Sequence, residues 1–108
     1  MSNFKEIDAQ SLALRLEESK LLLIDVRNDD EVARGVIANA LHVKLVDLPA
    51  KLDQLPTAET IVFYCHSGVR SAHAADFAAG KGLKNVYNLT GGIIAWGKAG
   101  LSFVAKRA

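Results

Sequence analysis

The sequence has little of what would assign it to several large protein classes. One cysteine, Cys65, stands among 108 residues, so an internal disulfide is excluded and the fold must rest on its hydrophobic core. No charge of one sign prevails, because 13 basic residues face 12 acidic ones, which argues against a nucleic-acid or membrane-surface partner. The longest aliphatic run, residues 21–24, is far too short to span a bilayer.

Two further absences bear on location and cofactors. The first residues show no apolar segment of the kind that a secretory signal needs, so we expect a cytoplasmic protein. No pair of cysteine or histidine residues has the spacing of a zinc site, so we expect neither a metal nor a cofactor. Half of the residues are hydrophobic, which is enough for a core, and the length predicts one domain over residues 1–108.

Short β-like runs alternate with helix-like runs along the chain. Asp8 is placed as the N-cap of the first helix, and Asn28 with Glu31 has the spacing of a capping box before the second. Alternation of this kind predicts an α/β fold, with a parallel sheet and helices on both of its faces. The predicted strands cover residues 21–26, 40–43, 60–64 and 86–89, and the predicted helices cover residues 9–16, 29–34, 45–55, 71–81 and 93–99.

Cys65 directly follows the strongest predicted strand and opens a short segment that leads into an Ala-rich helix. In parallel α/β sheets, ligands bind beyond the carboxyl ends of the strands. A tight loop before a helix directs backbone N–H groups inward, and Gly68 provides the backbone freedom that such a loop needs. These amides, the helix dipole and the charge of Arg70, with a contribution from His66, favour a thiolate. We therefore predict a lowered pKa and a nucleophilic role for Cys65.

Four segments, taken in order, form a pattern that covers nearly the whole chain. They are Leu-Ile-Asp-Val-Arg at residues 23–27, a block with Glu31, Gly35, Ile37 and Ala40, the strand and loop at residues 61–71, and Val-Tyr-Asn-Leu-Thr-Gly-Gly-Ile-Ile-Ala-Trp at residues 86–96. In combination they resemble the rhodanese family of sulfurtransferases. The resemblance implies a five-stranded parallel sheet flanked by helices. It also implies transfer of a sulfane sulfur from thiosulfate or a similar donor through a persulfide.

The same resemblance implies a role for each residue of the loop. Cys65 would carry the sulfur as the catalytic nucleophile, and Arg70 would bind the anionic donor through charge-assisted hydrogen bonds. Cyanide or a thiol, including a protein thiol, would be the acceptor. The loop amides would cradle the transferred sulfur. The substrate-binding residues implied in this way are His66, Ser67, Gly68, Val69 and Ser71.

The length of the loop distinguishes a sulfurtransferase from the first alternative, a phosphatase or arsenate reductase that would use the same cysteine and arginine. Four residues lie between Cys65 and Arg70, whereas phosphatases of the cell-cycle type, which share the fold, have five. The shorter spacing favours sulfur over a phosphate or arsenate oxyanion. A non-catalytic interaction module is a second alternative, although such modules typically lack the cysteine. A persulfide carrier within a sulfur relay would need the same loop as a free-standing enzyme.

Three prominent side chains outside the loop are interpreted as structural. Asp25 and Arg27 stand two residues apart at the end of a predicted strand, and charges at such positions in a core are usually paired. Trp96 stands three residues after Ile93, which is the spacing of neighbours on a buried helix face. We expect an ion pair from the first two and a core position for the tryptophan.

Overall fold

The computed structural model describes residues 3–106, which contain a five-stranded parallel sheet. All neighbouring strands in it run parallel, so the predicted α/β fold is confirmed. Residues 1–2 and 107–108 of the predicted domain lie outside the described part. The strands are β1 (Lys5–Ile7), β2 (Leu21–Asp25), β3 (Leu41–His42), β4 (Thr60–Tyr64) and β5 (Val86–Leu89), in the spatial order β1-β5-β4-β2-β3.

The helices connect these strands and cover the sheet. They are α1 (Ala9–Arg15), α2 (Asp29–Val32), α3 (Leu48–Lys51), α4 (Val69–Gly80) and α5 (Gly92–Lys98). The single helix predicted over residues 45–55 is instead α3 between two 3-10 turns, because an α-helix starting at Leu45 would need an N–H from Pro49 in its interior. Among residues 3–106, no helix is long and apolar enough to cross a membrane.

The core lies on both faces of the sheet, with β4 in its middle. Ile61 and Phe63 pack on the side of α3 and α4, whereas Val62 and Tyr64 pack on the side of α1 and α5. Every residue of β4 is buried, which explains why its sequence is a continuous apolar and β-branched run rather than an alternating one. The prediction of helices on both faces is thereby confirmed.

Two differences from the predicted elements matter for the site. The edge strand β1 was not predicted, because it has three residues and only Ile7 is buried. Helix α4 begins at Val69, two residues before the predicted start, because Gly68 takes a left-handed conformation at its N-cap. The first difference adds Glu6 to the sheet, and the second places Arg70 in the first turn of α4.

Candidate active site

Cys65 lies at the carboxyl end of β4, and its side chain is buried beneath the first turn of α4. Its Sγ accepts a hydrogen bond from the Gly68 N–H at 3.1 Å and one from the Ser71 hydroxyl at 3.3 Å. Gly68 has φ of +102°, a conformation that glycine tolerates and that allows its N–H to reach back to Sγ. The structure thus brings three residues of the predicted loop together around one sulfur.

Two opposing effects set the pKa of the Cys65 thiol. Burial disfavours the charged thiolate and raises the pKa, whereas hydrogen bonds from the Ser71 hydroxyl and from the amides of Ser71, Gly68 and Ser67 lower it. The hydrogen bonds outweigh burial, so the pKa is lowered from its ordinary value. The predicted direction is confirmed, and the stabilising groups are neutral donors of the loop and of α4.

Arg70 makes a two-point ion pair with Glu31 of α2. Its Nη1 donates to Oε1 at 2.7 Å and its Nη2 donates to Oε2 at 2.8 Å. The Arg70 side chain is the largest influence on the Glu31 carboxyl, whose pKa falls from 4.5 to about 2. Glu31 is therefore ionised at neutral pH and compensates the positive charge of Arg70, the charge that the sequence predicts to favour the thiolate. The two bonds use two of the five guanidinium N–H groups, and the other three have no hydrogen-bond partner among residues 3–106.

The first turn of α5 holds the backbone of the loop from outside. Ile93 N–H donates to the Cys65 carbonyl at 2.9 Å, and Ile94 N–H donates to the His66 carbonyl at 3.2 Å. Gly92 permits this approach, because a Cβ at its position would lie 2.5 Å from the His66 oxygen and 2.6 Å from the Cys65 oxygen. Gly92 therefore allows the first turn of α5 to hold the loop in place.

A buried polar chain, which sequence reasoning missed, continues from Ser71 into the sheet. Ser71 Oγ lies 2.5 Å from Asn88 Oδ1, and Asn88 Nδ2 donates to the Gly68 carbonyl at 3.2 Å. The same Nδ2 donates to the Glu6 carboxylate at 3.1 Å, because β1 pairs with β5 in the register that sets Glu6 beside Asn88. The one available signal was a polar Asn88 within an otherwise apolar strand.

The Ser71 hydroxyl has a single proton and two acceptors within reach, Cys65 Sγ and Asn88 Oδ1. When Cys65 is a thiol, its S–H can donate to Ser71 Oγ while Ser71 donates to Asn88. When Cys65 is a thiolate, the Ser71 hydroxyl donates its proton to a hydrogen bond with Sγ and no longer donates to Asn88 Oδ1. The ionisation of Cys65 is thus coupled to the orientation of one buried hydroxyl.

The remaining predicted residues take up less central positions. The buried pair of Arg27 Nη2 and Asp25 Oδ2, 2.8 Å apart, confirms the structural role predicted for both residues. The side chains of His66, Ser67 and Val69 are exposed on the loop. Within residues 3–106, no group of three or more His, Cys, Asp or Glu side chains is arranged to hold a metal ion.

Comparisons with known sequences support the resemblance. The model of the rhodanese-like domain matches residues 8–99. A sulfurtransferase of Allochromatium vinosum is 41% identical over 101 residues, which cover 93% of this chain and 94% of that protein. A thiosulfate sulfurtransferase of Shewanella oneidensis is 28% identical over 92% of this chain and 98% of its own length.

Solved structures agree with these relatives. A rhodanese-related protein from Thermoplasma volcanium superposes with a TM-score of 0.87 at 29% identity, covering 95% of this chain and 100% of its own. A protein of unknown function from Rhodopseudomonas palustris, described as a possible tyrosine phosphatase, gives a TM-score of 0.84 at 29% identity over 94% of this chain and 85% of its own. Since the family model matches residues 8–99 of the 108 residues in this chain, the chain belongs to the rhodanese-like domain family.

Proposed function

We propose that this chain is a sulfurtransferase that carries a sulfane sulfur as a persulfide on Cys65. The observation that supports the proposal most is the placement of Sγ, which accepts hydrogen bonds from Gly68 and Ser71 and has a lowered pKa. A thiolate is the nucleophile that attack on a sulfane sulfur requires, and its lowered pKa makes a separate general base unnecessary. Relatives described as sulfurtransferases support the same class of reaction.

The first half-reaction loads the sulfur from thiosulfate or a similar donor. The Cys65 thiolate attacks the outer sulfur, the S–S bond of the donor breaks, and sulfite leaves with the bonding electron pair. Arg70 is suited to hold the sulfite group, because Glu31 fixes its position and three of its N–H groups have no partner in the described part of the chain. The hydrogen bonds that favour the thiolate also favour the anionic persulfide, with the loop residues 66–71 as the cradle.

The second half-reaction passes the sulfur to an acceptor. A thiolate or cyanide attacks the outer sulfur of the persulfide, a new bond to that sulfur forms, and the bond to Sγ breaks. The electron pair of the broken bond returns to Sγ and regenerates the Cys65 thiolate, so no oxidant or reductant is consumed. Cyanide becomes thiocyanate, and a thiol becomes a hydropersulfide.

The loading step can be tested by intact-protein mass after incubation with thiosulfate. We expect the native chain to gain the mass of one sulfur, ~32 Da, and to lose it on addition of cyanide or a thiol, as nucleophilic catalysis through a covalent intermediate requires. Cys65→Ala should show no gain. Ser67→Ala is the matched control, because it removes an exposed side chain of the same loop and keeps the backbone amide.

The main rival is phosphate ester hydrolysis by the same cysteine and arginine, as the description of the Rhodopseudomonas palustris protein suggests for that structure. The spacing of four residues between Cys65 and Arg70 speaks against it for this chain. Turnover of an aryl phosphate without any sulfur gain would overturn the proposed reaction. Inertness in both assays would leave the chain as an interaction module.

A further inference from the structure

A cleft of about 440 Å³ opens beside the active loop, between α2, α5 and the C-terminal segment 101–104. His66, which follows Cys65 in the chain, lines this cleft. Ile93 lines it as well, and its N–H is bonded to the Cys65 carbonyl. The cleft therefore adjoins the backbone that carries the reactive sulfur, and it leads to that backbone from one side.

The charges around the cleft leave one cation uncompensated. Arg27 is paired with Asp25, and Glu31 is paired with Arg70. Arg34 also lines the cleft, and within the described range 3–106 it has no carboxylate oxygen within 4.0 Å. The net charge presented to a molecule in the cleft is thus positive, and it comes from a residue that the loading step does not use.

The opposite wall of the cleft is apolar and is held in place by the C-terminal segment. Phe103 lines the cleft, and its side chain remains 46% exposed, so its ring is accessible to a bound molecule. Val36 and Val104 exchange two hydrogen bonds of 2.8 Å in an antiparallel bridge. Buried Trp96, in the core position predicted for it, donates from Nε1 to the Ser102 carbonyl at 2.9 Å. These contacts fix the segment on both sides of Phe103.

We propose that this cleft is the acceptor subsite and that it selects thiols carrying a carboxylate on a short apolar stem. Arg34 would bind the carboxylate, Phe103 and Ile93 would pack against the stem, and the thiol would point toward the loop that holds the persulfide. The proposal rests on the proposed sulfurtransferase function, since it assigns the acceptor of that reaction. It makes Arg34 the residue that determines acceptor specificity.

The transfer itself balances without a further reactant. The acceptor thiolate forms a bond to the outer sulfur of the Cys65 persulfide, and the bond between that sulfur and Sγ breaks. The electron pair of the broken bond stays on Sγ as the thiolate, and the carboxylate-bearing product leaves as the hydropersulfide anion. Neither the carboxylate nor Arg34 changes its protonation state in the step.

A series of small thiols that differ in charge tests the proposal. Mercaptopropionate is anionic, mercaptoethanol is neutral and cysteamine is cationic. The quantity measured is the second-order rate constant for discharge of the preformed persulfide by each thiol. Comparing each thiol with itself across variants removes differences in intrinsic reactivity. The variants are Arg34→Gln and Arg34→Glu, with Arg15→Gln as the matched loss of a positive charge. Arg15 contacts Thr60 at the start of β4, at the opposite end of that strand from Cys65.

We expect Arg34→Gln to slow mercaptopropionate about fivefold, the size of one partly exposed ionic contact, and to leave mercaptoethanol unchanged. Arg34→Glu should slow mercaptopropionate further and speed cysteamine, whereas Arg15→Gln should change none of the three. The same rate constant for mercaptopropionate in the native and the Arg34-substituted proteins would overturn the proposal, even if the persulfide forms normally.

A second measurement keeps this inference separate from the proposed function. Iodoacetate is anionic and iodoacetamide is neutral, and both alkylate a cysteine thiolate. The rate of Cys65 alkylation by iodoacetate, divided by the rate with iodoacetamide, therefore reports anion selection without any persulfide. If thiosulfate loads no sulfur, the proposed function fails, and the ratio still decides whether the cleft selects anions. A fall of the ratio in Arg34→Gln would support anion selection, and an unchanged ratio would refute it.

Discussion

Replacing Ser71 by alanine removes the one side-chain hydrogen bond that reaches Cys65 Sγ within the described structure. Ser71 is fully buried in α4, and its hydroxyl lies 3.3 Å from Sγ and 2.5 Å from Asn88 Oδ1. Alanine fits the same space with a good helix propensity, so α4 itself should persist. We expect Ser71→Ala to raise the pKa of the Cys65 thiol, because the thiolate loses a donor while its burial is unchanged.

The size of the effect follows from the two distances. A hydrogen bond to a charged group contributes roughly 1.5–3 kcal/mol. The Ser71 proton must leave the nearer Asn88 acceptor to serve Sγ, so the lower end of that range applies, about 1.5 kcal/mol. Since 1.36 kcal/mol corresponds to one pKa unit, the thiolate fraction below the pKa should fall about tenfold. The unpaired Asn88 oxygen should cost a further ~1 kcal/mol in the free energy of unfolding.

The assay is the rate of iodoacetamide alkylation as a function of pH, with urea unfolding as a check on the fold. The alkylation profile of Ser71→Ala should move to higher pH with the same plateau, whereas Ser67→Ala, which retains its amide, should keep the native profile. Superposable profiles for Ser71→Ala and the native chain would show that the backbone amides alone stabilise the thiolate. The inferred coupling between Cys65 ionisation and the Ser71–Asn88 hydrogen bond would then be refuted.

Three further predictions concern the surroundings of the loop. Gly92→Ala should destabilise the chain by at least ~2 kcal/mol in urea unfolding, because its Cβ would lie 2.5 Å from a loop carbonyl at a φ of +61°. Gly80→Ala, with nothing within 4 Å of its Cβ, should stabilise by about 0.5 kcal/mol, and similar losses for both variants would contradict the steric argument. Glu31→Gln should cost about 1 kcal/mol at pH 7, discounted for partial exposure of the pair with Arg70. Because the folded pKa of Glu31 is about 2 and its ordinary value is 4.5, this difference should be complete above pH 4.5 and vanish as the pH falls toward 2; a difference that persists there would argue against the ion pair. Asn88→Asp should destabilise more than Asn88→Ala in thermal unfolding, since it sets a second carboxylate beside the one on β1, and the reverse order would refute this.

The middle of the sheet could be predicted from the sequence, because burial on both faces leaves a direct mark there. Residues 21–25 and 60–64 are predominantly aliphatic, β-branched and aromatic, and both form strands within a residue of the predicted bounds. Cys65 could be located for the same reason, since the end of a buried strand and the start of an Ala-rich helix bracket it. The predicted capping box is also confirmed, since the Asn28 N–H donates to Glu31 Oε1 at 3.0 Å.

The partners of the site could not be predicted, because they depend on which strands become neighbours. Arg70 meets a carboxylate 39 residues away, and Asn88 meets one 82 residues away. The second contact requires β1 to pair with β5, the first strand with the last, and the periodicity of a three-residue edge strand is too short to reveal it. The sequence therefore indicated Cys65 as the proposed nucleophile but assigned the stabilisation of its thiolate partly to Arg70, whose charge is compensated by Glu31.

The hydrogen bonds that hold the loop in place give a physical reason why the length of the loop should select the reaction that it catalyses. Three carbonyls of the loop accept hydrogen bonds from outside it, two from the first turn of α5 and one from Asn88. An extra residue between Cys65 and Arg70, as in phosphatases with this fold, would have to displace at least one of these contacts or move α4 away from β5. Because α5 holds the start of the loop and Asn88 holds the Gly68 carbonyl, the loop cannot widen around a larger oxyanion unless α5 or Asn88 changes position. We therefore expect insertion of one glycine after Gly68 to destabilise the chain and to abolish persulfide formation without creating phosphatase activity. Mass analysis with thiosulfate and an aryl phosphate assay on that insertion variant would check this, and phosphate turnover in a stable variant would show that loop length alone decides the chemistry.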